Sequence, residues 1–98
     1  MENKIALGTV QFGLDYGAYN EGGQVDSIEV KKIIDLSVAH GINTLDTAST
    51  YGNSEAVLGN IGIENFNIIT KTSCLDNGVR RVVDDFYRSL ERLNVDKV

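Results

Sequence analysis

Proline and tryptophan are absent from this 98-residue chain, and cysteine, methionine and histidine occur once each. Without proline there is no Pro-rich linker, and no Ser-rich or low-complexity stretch divides the chain either. Residues 1–98 therefore read as one domain at most, since domains commonly run about 100–150 residues. The lone cysteine, Cys74, cannot close an internal disulfide, which suits a reducing cytosol and leads us to expect a cytoplasmic protein. No histidine stands near it in sequence, so it reads as an inert thiol rather than a nucleophile. The apolar runs are only a few residues long, too short to span a membrane. Met1-Glu2-Asn3-Lys4 does not lead into the apolar core of a signal peptide. Basic residues are scarce: 9 Lys and Arg against 14 Asp and Glu give a net charge of -5, with no basic cluster. Nucleic acid is excluded on that ground, because its phosphates call for concentrated positive charge. What is present is ordinary for a globular protein, 42% hydrophobic and 23% charged.

Punctuation along the chain is regular. Ile5–Thr9 is a short apolar run that meets Gly8 and then a stretch containing Gly13, Gly17, Gly22 and Gly23, which predicts a strand followed by a long loop. Asp26 with Glu29 forms a capping box, and Val30, Ile33, Ile34 and Val38 follow at helical spacing until Gly41 stops the helix. Ile42–Asp46 reads as the next strand, Ser54–Leu58 as a short helix closed near Gly59, and Asn67–Lys71 as a third strand. Val79, Val82, Val83, Phe86, Leu90 and Leu93 mark one face of a longer helix, after which Val95–Val98 begins another extended segment. Strands alternating with helices imply a parallel sheet with crossover helices, hence an α/β protein. Two architectures fit: an open flavodoxin-like sheet, or the opening of a TIM (β/α)8 barrel, about three βα units and the start of strand four.

The polar residues at the strand ends bear on chemistry. Asp46 ends the second predicted strand, Lys71 ends the third, and Tyr51 lies five residues after Asp46. In either α/β architecture the carboxyl ends of the strands converge on one site. A tyrosine hydroxyl has a pKa near 10 when unperturbed, too high for efficient proton transfer at neutrality. A nearby ammonium stabilises the phenolate and lowers it, and a carboxylate keeps that ammonium charged and fixed. Each residue also has a plainer reading: Asp46 as an Asx turn, Lys71 as a solvated charge, Tyr51 as loop packing. A strand-end lysine can also serve as a Schiff-base nucleophile.

Gly41-Ile42-Asn43-Thr44-Leu45-Asp46-Thr47-Ala48-Ser49-Thr50-Tyr51-Gly52-Asn53-Ser54-Glu55, with Leu58-Gly59 behind it, closely resembles the aldo-keto reductase signature G-[IV]-x-x-[FL]-D-T-A-x-x-Y-G-x-[SE]-E. The likeness extends to Leu7-Gly8-Thr9, to Ile69-Thr70-Lys71 and to Ser89-Leu90-Glu91-Arg92-Leu93-Asn94-Val95-Asp96, so it covers nearly the whole chain in order. The opening from Leu7 to Gly17 is similar to a bacterial branch found among polysaccharide and nucleotide-sugar biosynthesis genes.

The resemblance implies the barrel rather than the open sheet, and an NADPH-dependent oxidoreductase that reduces an aldehyde, ketone or sugar carbonyl to an alcohol. Tyr51 matches the family's proton donor, Lys71 the residue that depresses its pKa, and Asp46 the ion-pair partner. Gly8, Thr9 and Val10 match the first-strand segment beside the nicotinamide and its ribose, which Asp46 also touches. The partner is then a small carbonyl or sugar substrate, with no metal, nucleic acid or membrane. The family's fourth catalytic residue is a histidine at the end of strand four, and the sequence reaches Val98 short of it. His40 sits beside Gly41, at the wrong end of the barrel for that role. Residues 1–98 are accordingly expected to form a partial barrel domain, inactive by itself and prone to self-association. The alternative is a truncated or non-catalytic relative with a binding or regulatory role.

Overall fold

The computed structural model describes residues 4–17 and 22–98. The Met1–Asn3 start and the middle of the glycine-rich loop, residues 18–21, lie outside the described residues.

Three short strands, β1 (Leu7–Gly8), β2 (Thr44–Asp46) and β3 (Asn67–Ile69), form a parallel sheet in the order β1-β2-β3. Leu7 pairs with Leu45 and Leu45 with Ile68, so these three share one face; Gly8, Asp46 and Ile69 are paired in the same way on the other. The connections are helical: α1 (Val10–Gly13) and α2 (Ser27–Ala39) lie between β1 and β2, and α3 (Ser54–Ile61) between β2 and β3. A 3-10 turn at Leu75–Asn77 then leads into α4 (Val79–Leu93). This is the alternation expected of a partial barrel, with a core on the helix-bearing side. Phe12, Val30, Ile34, Leu45, Leu58, Ile63, Ile68 and Leu93 are buried together there. Burying each such side chain stabilises by about 1.5–3 kcal/mol. The opposite sheet face is open, with Ile69 50% exposed.

The helices show why local pattern predicts some features and misses others. Asp26 caps α2, its carboxylate accepting from the Glu29 N–H at 2.9 Å, and Gly41 beyond the end takes φ +74. The buried stripe of α2, however, is Val30, Ile34 and Ser37, while Val38 is 60% exposed. Seven residues return almost to the starting angle of a helix and eight overshoot, so Ser37 takes the inward position. Its hydroxyl is satisfied by the Ile33 carbonyl at 2.8 Å.

Gly59 does not end α3, which runs on to Ile61 and stops at Gly62, φ +94. A Cβ on Gly59 would lie 2.0 Å from the Arg92 carbonyl oxygen, so this glycine admits the backbone of α4. Part of the predicted long loop is wound into α1, because burying Phe12 turns the chain at once after β1. Val95–Val98 is not a strand. The Val95 N–H bonds to the Leu90 carbonyl at 3.2 Å behind a left-handed Asn94, and the segment does not pair with β3. Leu45, on the central strand, is fully buried against the helices.

Candidate active site

Asp46, the last residue of β2, points from the open face of the sheet, and Lys71 follows β3 by two residues with the same parity. Their side chains form an ion pair across the strand ends, each a little under half exposed. The Lys71 Nζ also stands 5.2 Å from the centre of the Tyr51 ring, within cation–π range. The three residues expected to act together are thus together. The Asp46 hydrogen bond raises the Lys71 pKa above its ordinary value, partial burial opposes it, and the Tyr51 side chain adds to the rise. Lys71 is therefore a fixed ammonium throughout the neutral range.

Tyr51 lies in the loop between β2 and α3, and backbone contact holds that loop in place. The Thr47 N–H donates to Ile69 O at 2.8 Å and the Ser49 N–H to Lys71 O at 2.9 Å, extending the β2–β3 ladder beyond both strands. On the other side the loop presses on α1. A Cβ on Gly13 would lie 1.7 Å from the Tyr51 carbonyl oxygen, and one on Gly52, whose φ is +55, would lie 2.2 Å from the Gly13 carbonyl oxygen. Only glycine at both positions permits this approach.

The first-strand residues divide. Gly8 is exposed on the open face beside Asp46, and a Cβ built on it meets nothing within 4 Å. Val10 is half-buried at the start of α1. Thr9 is fully buried, its hydroxyl donating to the Asp46 carbonyl at 3.0 Å and its N–H to the same carbonyl at 3.1 Å. Ser54 Oγ lies 3.1 Å from Thr9 O, Thr9 Oγ1 and Thr47 Oγ1 alike. These buried hydroxyls tie the ends of β1 and β2 to the first turn of α3, so the Thr9 side chain serves the scaffold and presents no surface to a bound molecule. The space at Gly8 thus lies open beside the Asp46 carboxylate, which can accept hydrogen bonds.

Residues 4–98 match the aldo/keto reductase family pattern. The chain belongs to the aldo/keto reductase family. A provisionally assigned aldo-keto reductase from Pseudomonas aeruginosa has a solved structure that is 34% identical, with a TM-score of 0.80, over 95% of this chain and 39% of its own. A second such structure from that organism is 32% identical, with a TM-score of 0.77, over 95% of this chain and 37% of its own. This aldo/keto reductase chain thus spans about two fifths of the length of these relatives. No curated protein matches it. Membership accounts for the parallel sheet with helices on one face, a partial TIM barrel. His40 lies at the C-terminus of α2, at the opposite end of the sheet from Asp46. Among the described residues no group of acidic, histidine and cysteine side chains could hold a metal, and no helix is long and apolar enough to cross a membrane.

Two further carboxylates, unassigned in the sequence, support the site. Glu55 is 2% exposed and accepts from Thr70 Oγ1 at 2.7 Å, Ser89 Oγ at 3.0 Å and Arg92 Nε and Nη2 at 3.0 and 2.8 Å. It stands inside the signature, which marks it without giving its partners. Asp85, on α4, accepts from Ser49 Oγ at 2.9 Å and the Ser73 N–H at 3.0 Å. No local pattern points to it, because Ser49 is 36 residues away.

Proposed function

We propose that this chain contributes the proton-transfer residues of an NADP(H)-dependent carbonyl reductase acting on an aldehyde, ketone or open-chain sugar. The observation that carries the proposal is the Asp46–Lys71 ion pair with its ammonium against the Tyr51 ring, at the carboxyl ends of parallel strands. A bound reduced nicotinamide supplies the hydride. Tyr51 gives its hydroxyl proton to the carbonyl oxygen, and Lys71 stabilises the phenolate left behind. Asp46 anchors the ammonium, and with Gly8 it offers the open, polar floor on which the nicotinamide ribose would rest. Val10 borders that floor, and Thr9 holds it from beneath. The raised Lys71 pKa favours this role over a Schiff-base lysine, which must lose its proton to attack.

The test uses a polypeptide in which these residues stand within a complete barrel. Tyr51→Phe should lower carbonyl reduction by about 10²–10⁴-fold while cofactor affinity hardly changes. Lys71→Met should also be severe, because the phenolate left by proton transfer loses the ammonium that stabilises it. Near-normal turnover of Tyr51→Phe would remove the assignment, and covalent mass gained on borohydride trapping with a carbonyl substrate would point to Schiff-base chemistry instead.

A further inference from the structure

We propose that Asp85 is a positioning residue that sets the distance between Tyr51 and Lys71, a role that rests on the reading of those two residues given above. One carboxylate oxygen, Oδ2, takes both bonds, from the Ser49 hydroxyl at 2.9 Å and from the Ser73 N–H at 3.0 Å. Ser49 precedes Tyr51 by two residues and Ser73 follows Lys71 by two. A single atom on α4 therefore clamps the loop carrying Tyr51 to the segment carrying Lys71, at the level where the strands have already ended. Between them the Ser49 N–H donates to Lys71 O, so the clamp closes around a bond that belongs to both segments.

The position has no helical explanation. Asp85 lies in the interior of α4, whose N-cap is Gly78, so it caps nothing, and aspartate is among the weaker helix formers. Its other oxygen faces the Arg92 Nη2 at 3.9 Å, and Arg92 is itself held by two bonds to Glu55. Glu55 in turn accepts from Thr70, the neighbour of Lys71. The clamp is thus braced from behind by a chain of charge that reaches the same segment a second time. The Asp85 carboxylate is held in its ionised form, chiefly by the Ser73 N–H and then by Ser49 and Arg92, with burial opposing.

The experiment follows the Lys71 ε-methylene resonance in the full chain labelled with ¹³C-lysine, where the Tyr51 ring, 5.2 Å from Nζ, should shift it away from the other lysines. Tyr51→Leu defines the unshifted position, and amide exchange of segments 47–53 and 70–74 is followed in parallel. Asp85→Ala should move the Lys71 signal to the Tyr51→Leu position and speed exchange of each segment by about tenfold or more, the loss of one charge-assisted bond from each, while α2 exchanges as before. Asp85→Asn, whose amide oxygen can accept both bonds, should restore the shift. Ser49→Ala, which leaves α4 and Ser73 untouched, should loosen 47–53 alone and move the Lys71 signal part-way. This variant decides the matter if Asp85→Ala does not fold. An unshifted Lys71 signal in wild type would count against the Tyr51–Lys71 contact itself. A normal wild-type shift that survives both Asp85→Ala and Ser49→Ala would overturn the clamp alone.

Discussion

Glu55 is the most enclosed charge among the described residues, and Arg92 is its only ion-pair partner there. Removing that partner leaves a buried carboxylate with hydroxyl donors alone. Arg92→Ala should therefore destabilise the fold by about 3 kcal/mol, read from the shift in urea midpoint. Two other residues set a pH window. The folded-state pKa of Asp85 is lowered, so its contribution to stability is present above the ordinary carboxylate range and is lost as pH falls below about 4. That of Lys71 is raised, so its contribution is present at neutral pH and is lost as pH climbs past about 10.4. Thermal melts from pH 3 to 11 should show a broad plateau with losses at both ends. Asp85→Asn should blunt the acid-side loss and Lys71→Met the alkaline one. Asp46, Tyr51 and Lys71 were legible in the sequence because strand ends and a dense signature locate them. Asp85 and the partners of Glu55 were not, since their meaning depends on residues dozens of positions away.

At the scale of elements, capping and periodicity located the helices well, and tertiary contact moved their details. Asp26→Ala should cost about 1 kcal/mol through loss of the α2 cap, measurable by thermal melting. The end of α3 was misplaced because a glycine that admits a neighbouring backbone looks, in sequence, like a glycine that stops a helix. Ser37 took an inward place because the angle of the turn outweighs the hydropathy of the residue. Gly13→Ala is the sharper test of local design. Its methyl group collides with the Tyr51 carbonyl, so the α1 contact must open, at a cost of about 1–3 kcal/mol. The Tyr51 loop should then become an early site of proteolysis while α2 and α4 remain resistant. An unchanged digestion pattern would show that the loop is held from the Lys71 side alone.

Taken whole, the molecule is a sheet covered on one face. Among the described residues β1 and β3 each pair with one neighbour only, Ile69 is half exposed on the open face, and Val79, Val83 and Tyr87 leave an apolar row on the outside of α4. Parallel sheets are normally covered on both faces, and open edges invite pairing. The 98-residue chain by itself should therefore self-associate, with light scattering giving a mass that rises with concentration. A steady 11 kDa species would contradict this expectation. It should also bind NADPH too weakly to detect at micromolar concentration by nicotinamide fluorescence, because its polar floor has no facing wall. The Glu55–Arg92 pair, finally, puts this fold on a clock. Arg92 is made 37 residues after Glu55, a lag of about 2–7 s at ordinary rates of synthesis. Throughout that interval the carboxylate lacks the guanidinium that pairs with it in the fold, and settling α3 on the sheet would enclose a charge with no ion-pair partner. Nascent chains arrested before residue 92 should stay open to protease, and released chains that include it should not.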